Sequence, residues 1–404
     1  MRPNYLNIDK ITTDKNVLKI FKIVEKYGGV VRFVGGAVRD TIMGITDFDL
    51  DLSTDLTPDE LAEACEDAGI KTVPIGLKAD ALGILVNNTL LTITSLRKKA
   101  KDEGKKAQIE FTDNWEEDAS RRDLTINAVY ADEDGNVFDY YDGISDLENG
   151  IVRFIGDPNE NVKTDYLRIL RFFRFYSIFG KGEPDKKSLK ATIDNKDGLK
   201  TISIDRIRDE LSKILLTPNV VKTLKVMFEN NMLVNWLADS DNLDKLEVLN
   251  EICIKGNIQP DPLRRLFILY LPDKALAENI AMRLKFTRKL RDTFVKFATT
   301  EETFDDFLDP IKRLKMTYKY GKDFCISKFA ILAALKGTVS PDTKQVIFDI
   351  RNLVVPVLPI SGKDIVKMGI SEGGEIGKTL DTVELAWVES NFNLSREELL
   401  NLIK

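Results

Sequence analysis

Along the first third of the chain the apolar positions change period several times. Residues 13–27 carry Val17, Leu18, Ile20, Phe21, Ile23 and Val24 at helical spacing, which predicts an amphipathic helix. The β-branched run 30–34 reads as a strand stopped by Gly35-Gly36, and 37–43 reads as a helix. Phe48, Leu50 and Leu52 then alternate with Asp47, Asp49 and Asp51, the period of a short strand with two unlike faces. Thr57-Pro58-Asp59-Glu60 opens the next helix, with Thr57 as N-cap, Pro58 at the first helical position and Glu60 closing a capping box. Short strands fit 70–75, 81–86, 90–96, 107–112, 125–132, 136–141 and 151–155.

Past Pro158 the period becomes helical. Segments 165–179, 205–216, 220–228, 262–270, 275–284, 288–298, 326–336, 343–353 and 376–390 all read as helices, with few strand signals between them. The expected fold class is an α/β (α+β) head with a mixed sheet, followed by an all-α neck, body and tail. The head is expected over 1–155, the neck over 156–220, and the body and tail over 221–404.

Composition narrows the chemistry. The 404 residues include no histidine, which excludes a histidine triad, a histidine general base and histidine-ligated zinc or haem. Cys65, Cys253 and Cys325 lie far apart and fit no zinc or disulfide spacing, so a reducing, cytoplasmic setting is expected. No apolar run approaches the roughly 18 residues of a membrane span, and the N-terminus shows no signal-peptide core. The net charge of −6 is unevenly spread: 18 basic and 29 acidic side chains lie in 1–150, against 41 and 36 in 151–404. That division suits a metal-loaded site in front and a polyanion-binding surface behind.

The chemistry concentrates in Val34-Gly35-Gly36-Ala37-Val38-Arg39-Asp40, followed by Asp49-Leu50-Asp51. A strand that ends in Gly-Gly and enters a helix lets main-chain N–H groups approach a phosphate, and Arg39 is one turn away. Asp49 and Asp51, two apart on a strand, are expected to face one side and to hold hard cations such as Mg²⁺. Either feature alone would read as a turn or a solvated edge. Arg122 and Asp123 supply a donor and an acceptor suited to a ribose hydroxyl or a triphosphate, or form a surface ion pair. Asp165 and Arg168 stand at i and i+3, a carboxylate beside a guanidinium that can mimic a base edge. Arg171 and Arg174 continue that stripe.

The order Gly-Gly-x-Val-Arg-Asp, then Asp-x-Asp, resembles the DNA-polymerase-β-like nucleotidyltransferases. More closely, the chain resembles the class II tRNA nucleotidyltransferase (CCA-adding) and bacterial poly(A) polymerase family. Arg121-Arg122-Asp123-Leu124-Thr125-Ile126-Asn127-Ala128 is similar to that family's ribose-contacting motif. Residues 142–158 resemble its hinge, Asp165-Tyr166-Leu167-Arg168-Ile169-Leu170-Arg171 its nucleotide template, and 205–211 the helix that follows. The resemblance implies a nucleotidyltransferase head carrying catalytic, metal-binding Asp49 and Asp51. It implies nucleotide contacts from Gly35, Gly36, Arg39, Arg122, Asp123, Asn127, Asp165, Arg168, Arg171 and Arg174. Two Mg²⁺ ions, the substrates CTP and ATP, and the acceptor and T arms of tRNA are implied with them, with no membrane and no protein partner.

Three departures from the family pattern stand out. Thr164 occupies the place of a Glu before Asp165, Thr92 the place of a strand Glu, and 76–83 lacks the usual His-Gly-Thr. The charged stretch 97–106 falls where complete CCA-adding members have a flexible loop. The expected reaction is template-independent CCA addition to tRNA. The alternatives are a poly(A) polymerase, separated by product length and nucleotide usage, and an RNA-binding member without turnover.

Overall fold

The computed structural model describes residues 5–46, 49–75, 81–86, 89–98, 110–337, 339–370 and 373–403. Residues 107–109 of the expected strand at 107–112, most of the 97–106 loop, and most of 76–83 lie outside them; over 110–112 that strand is reduced to the isolated bridge of Phe111 with Arg97. The chain divides into two compact units, Met1–Asn235 and Trp236–Lys404.

In the first unit the strands are β1 (Val31–Val34), β2 (Asp51–Thr54), β3 (Lys71–Ile75), β4 (Ala81–Val86), β5 (Thr89–Ser95), β6 (Val129–Ala131) and β7 (Val137–Asp139). The helices are α1 (Lys15–Lys26), α2 (Gly36–Ile42), α3 (Pro58–Asp67), α4 (Trp115–Ser120), α5 (Gly143–Asn149), α6 (Pro158–Thr164), α7 (Arg168–Phe179), α8 (Lys186–Asp194), α9 (Ile204–Leu216) and α10 (Val220–Glu229). The strands form one mixed sheet in the order β3-β4-β5-β2-β1-β6-β7. Its pairings are antiparallel except β2 with β5, which run parallel.

The period-two pattern of these strands becomes two unlike sheet faces. One row of paired residues, Leu82, Ile93, Leu52, Phe33, Ala131 and Val137, crosses six strands. It packs with Ile20, Val24 and Leu61 of α1 and α3 in a continuous apolar core. Burial of this face drives the head to fold; each fully buried side chain of this kind contributes about 1.5–3 kcal/mol before entropy is counted. The opposite face carries Asp51 and Ser53 on β2 and Thr92 and Thr94 on β5, in register. At the β1 end Arg32 lies 3.5 Å from the Phe138 ring centroid and 4.2 Å from that of Trp115.

The capping box of α3 forms as the sequence predicts. Thr57 accepts from the Glu60 N–H, and Glu60 accepts from the Thr57 N–H at 2.8 Å. Other expectations are corrected. Residues 151–155 form no strand, only the isolated bridge of Leu124 with Phe154, and Val152, Phe154 and Ile155 are buried by side-chain packing without a ladder. Phe154, for example, stacks on Phe172 of α7 at 5.5 Å. The expected strand 125–132 is a 3₁₀ turn over Thr125–Asn127 before the short β6.

The second unit is helical: α11 (Leu243–Lys255), α12 (Pro262–Tyr270), α13 (Lys274–Arg283), α14 (Arg288–Thr299), α15 (Phe304–Leu308), α16 (Pro310–Tyr320), α17 (Lys322–Leu335), α18 (Pro341–Asn352), α19 (Gly362–Lys367), α20 (Gly373–Glu389) and α21 (Arg396–Asn401). Phe267, Phe294 and Phe297 meet edge-on within it. The buried Lys328 ammonium donates to the Phe297 and Thr300 carbonyls at the end of α14. A separate cluster of Ile360, Val383, Trp387 and Leu399 closes the C-terminal helices. Among the described residues no helix is long and apolar enough to cross a membrane.

Candidate active site

Gly35 sits between β1 and α2 with φ 63° and ψ −120°, a backbone conformation that side chains resist. Its α-carbon faces β2: a Cβ there would lie 3.9 Å from Asp51 Oδ2, and one on Gly36 would lie 3.9 Å from the Asp49 carbonyl. The Gly-Gly main chain thus lies against the two aspartates, as the spacing implied. One detail differs. β2 begins at Asp51, so Asp49 precedes the strand instead of sharing its face with Asp51. Both residues are exposed. The protein mass around Asp51 desolvates its carboxyl and raises its pKa; Arg122 and Arg39 oppose that rise, and the Asp49 charge adds to it.

The arginines behind this pair are turned onto protein partners. Arg39 is buried and forks onto Asp40, with Nε to Oδ1 and Nη2 to Oδ2 both at 2.8 Å. Its Nη1 donates to Asn127 Oδ1 at 2.5 Å, and Asn127 Nδ2 donates to Asp123 Oδ1 at 3.0 Å. Asp123 Oδ2 accepts from Arg171 Nε at 2.6 Å. One unbroken chain of bonds therefore runs from α2 through the 3₁₀ turn to α7. Burial alone would raise the Asp123 pKa, but Arg171, Asn127 and Arg168 hold it far below the usual carboxylate range. The Arg39, Arg171 and Arg174 guanidinium carbons lie 4.8, 5.4 and 4.5 Å from the Phe175 ring centroid. Arg174 also pairs with buried Glu210 of α9 at 3.1 Å.

Arg122 is held in the same manner. It donates to Asp118 Oδ2, to the Tyr130 hydroxyl at 3.0 Å and to Ser53 Oγ at 3.3 Å. Burial works against its charge, and Tyr130 and Asp118 more than restore it. Asp118 is fully buried and takes Arg121 as well, with the nearest contact at 2.5 Å. Burial pulls the Arg121 pKa down to about 10 against the attraction of Asp118. The sequence reading missed Asp118, although its i,i+3 and i,i+4 spacing to Arg121 and Arg122 was a visible signal. Glu210, the buried counter-ion of Arg174, lies far from it in sequence and carried no such signal.

The expected continuous helix 165–179 is broken, so Asp165 and Arg168 do not share a helix face. α6 ends at Thr164, whose hydroxyl donates back to the Asn161 carbonyl at 2.7 Å. Asp165 is extended (φ −160°, ψ 107°), and its carboxylate accepts from the Leu167 N–H, starting a new turn before α7. Its Oδ2 accepts from Arg206 of α9 at 2.6 Å. Arg168 instead donates to Asn161 Oδ1 at 2.5 Å and to the Arg121 carbonyl at 2.6 Å. The structure therefore gathers Gly35, Gly36, Arg39, Asp49, Asp51, Arg122, Asp123, Asn127 and Arg171 into one cluster. Arg168 and Arg174 form its rim, and Asp165 stands with Arg206.

A strand-to-glycine turn against two aspartates, on a mixed sheet backed by arginine-rich helices, is the arrangement of a nucleotidyltransferase head. The family model described as "Poly A polymerase head domain" matches residues 31–153. A second, "Probable RNA and SrmB- binding site of polymerase A", matches 183–240. The CCA tRNA nucleotidyltransferase 1, mitochondrial, of Mus musculus is 31% identical over 382 residues, covering 93% of this chain and 86% of the relative. The CCA-adding enzyme of Ligilactobacillus salivarius is 28% identical over 403 residues, covering 96% of each. The solved Bacillus stearothermophilus CCA-adding enzyme in complex with CTP shares the fold, with TM-score 0.72 at 22% identity over 96% of both chains. The chain belongs to the CCA tRNA nucleotidyltransferase family.

Proposed function

We propose that this protein adds CCA to the 3′ end of tRNA without a nucleic-acid template, transferring CMP from CTP and then AMP from ATP and releasing pyrophosphate. The observation that carries this reading is the approach of the Gly35-Gly36 main chain to Asp49 and Asp51. A glycine turn leaves room for a triphosphate, and the adjacent carboxylates suit the cations that accompany it.

The residues present fit Mg²⁺. Asp49 and Asp51 are exposed oxygen donors whose like charges act on one another, and no third carboxylate joins them among the described residues. Two carboxylates completed by substrate phosphate oxygens is a usual Mg²⁺ environment. When bound, the ions supply activation of the tRNA 3′-hydroxyl and neutralisation of the leaving pyrophosphate. Gly35 and Gly36 hold the triphosphate. Arg122, fixed by Asp118, places a permanent positive charge beside Asp51. Arg39, Asn127, Asp123 and Arg171 set the cradle at a constant position relative to α7, with Arg174 completing the cationic wall. Asp165 accepts from the exocyclic amine shared by cytosine and adenine, and Arg168 stands across the helix break from it.

In this reading 1–155 is the head, 156–220 the neck, and 221–404 a body and tail that hold the acceptor and T arms by backbone and shape. Buried free thiols at Cys65, Cys253 and Cys325 support a reducing compartment, and we infer the cytoplasm, whereas the mouse and human relatives are mitochondrial by name. The test is a one-pot assay on tRNA ending before CCA, supplied with CTP, ATP, both or neither. Addition of two residues with CTP alone and of three with both supports the reading. Long adenylate tails with ATP alone would support a poly(A) polymerase instead.

A further inference from the structure

Asn161 lies in α6, ahead of the break that separates that helix from α7. It is only 2% exposed, an uncommon setting for a side-chain amide. Both amide hydrogens and the amide oxygen are engaged. Nδ2 donates to the Arg122 carbonyl at 3.0 Å and to the Ile155 carbonyl at 3.1 Å. Oδ1 accepts from Arg168 Nη1 at 2.5 Å.

These partners dictate the residue type. Carbonyls only accept and a guanidinium only donates, so the position needs donors and an acceptor on one short planar group. A carboxylate lacks the donors, and an aliphatic side chain lacks both. The main chain of the same residue strengthens the junction. Its carbonyl accepts from the Thr164 hydroxyl at 2.7 Å and from Arg168 Nη1 at 3.3 Å.

The segments that meet at Asn161 serve different parts of the site. Arg122 supplies the positive charge that acts on Asp51, and its guanidinium is itself held by Asp118 and Tyr130. Arg168 opens α7 and gives Nη2 to the Arg121 carbonyl at 2.6 Å. With Nη1 on Asn161 and Nη2 on Arg121, the plane of the Arg168 guanidinium is set at two points. Its Nε takes no hydrogen-bond partner among the described residues. A spare donor on a fixed plane is pre-organised for an acceptor on a ligand.

We propose that Asn161 is a positioning residue for nucleotide selection. It fixes Arg168 so that the Nε–H meets the ring acceptor of an incoming cytosine or adenine, at a constant offset from Arg122 and Asp51. The proposal rests on the CCA-adding reading for the identity of the nucleotides. Asn161 touches no substrate; it acts through Arg168. Uracil and guanine present an N–H where cytosine and adenine present the ring acceptor, so a firmly held donor rejects them and a loose one rejects them less.

The experiment uses the full chain with tRNA ending before CCA, for CTP against UTP, and tRNA ending in CC, for ATP against GTP. Asn161→Ala is expected to lower both discrimination ratios in kcat/KM about tenfold, roughly what losing one hydrogen bond to a charged group brings. Asn161→Asp keeps an oxygen for Arg168 and loses the donors to the two carbonyls. It is expected to be less stable than the wild type in urea yet to discriminate as the wild type does. In an Arg168→Lys background, Asn161→Ala is expected to cause no further loss of discrimination, because the group it positions is gone. Unchanged discrimination in Asn161→Ala, equal losses in Asn161→Ala and Asn161→Asp, or full additivity with Arg168→Lys would overturn the proposal. Should Asn161→Ala fail to fold, Asn161→Ser, which also removes the amide oxygen, is measured in its place. If wild-type protein adds no nucleotides, the CCA-adding reading fails by itself. The Kd values of CTP, UTP, ATP and GTP for wild type and variants, measured without tRNA, then still decide this proposal.

Discussion

Asp51 on β2 stands directly opposite Thr92 on β5 in the one parallel pairing of the head sheet. Paired residues share a sheet face, so Thr92 occupies the place from which another side chain would reach the Asp51 carboxylate. Thr92→Glu is expected to lower the half-saturating Mg²⁺ concentration for nucleotide addition severalfold, because a third oxygen donor joins two that already repel each other. Titrating activity with Mg²⁺ checks this. An unchanged Mg²⁺ profile would mean that residue 92 does not face the ions.

Removing the carboxylates separates catalysis from binding. Asp49→Ala/Asp51→Ala is expected to abolish incorporation of CMP and AMP while tRNA binding stays within twofold of wild type. Labelled-nucleotide incorporation and filter binding on the same preparation measure the two. Equal residual incorporation in variant and wild type would move the metal site elsewhere.

Asp118 is the counter-ion of two arginines and has no exposed surface. Deleting one partner of a buried ion pair leaves the others desolvated and uncompensated. Asp118→Ala is therefore expected to cost about 3–5 kcal/mol of stability. Urea unfolding followed by circular dichroism measures it. Asp118→Asn, which keeps the shape and loses the charge, should show a smaller loss of stability and an altered Mg²⁺ requirement, since Arg122 then pulls on Asp51 without its own counter-charge.

Asp123 gives a pH prediction with a definite sign. An aspartate in an unfolded chain titrates near about pH 3.9. In the fold, burial resists the charge of Asp123, but Arg171 and Asn127 prevail and depress its pKa. Its stabilising contribution is therefore fully present above the unfolded value and is lost as pH falls through the depressed folded value. Asp123→Asn should be markedly less stable than wild type at pH 7, and the gap should close steadily in acid. Paired urea titrations over an acid series test this; a gap independent of pH would assign the loss to packing.

Arg168 distinguishes a base reader from a main-chain clamp. Its bonds to the Arg121 carbonyl and to Asn161 draw on two guanidinium nitrogens, a geometry that an ammonium does not reproduce. Arg168→Lys is expected to destabilise the protein by about 1.5–3 kcal/mol, the range for hydrogen bonds to charged groups. Thermal unfolding together with CTP-versus-ATP incorporation ratios separates the two roles, since a clamp alone leaves the ratio unchanged.

Much of the fold was legible because local rules and burial agreed. The Thr57–Glu60 box fixed the start of α3, and the short strands expected at 70–75, 81–86 and 90–96 form as β3, β4 and β5. Where they disagreed, the reading failed. Val152, Phe154 and Ile155 satisfy a strand pattern yet bury themselves without a ladder, and Asp165 breaks a run of helical period because its carboxylate captures a nearby N–H. In the site, spacing was enough to bring glycines and aspartates together. It did not reveal that Arg39 reaches Asn127, that Asp123 takes Arg171, or that Arg122 reaches Ser53, since these partners arrive from distant segments.

The parallel pairing of β2 with β5 has a consequence for how the protein is made. Antiparallel neighbours can meet by a simple hairpin, but these two strands pair only after α3, β3 and β4 have been threaded between them. Non-local closures of this kind form slowly. A chain still emerging from the ribosome therefore carries the glycine turn and both aspartates well before it carries a working centre, and activity should switch on late and all at once.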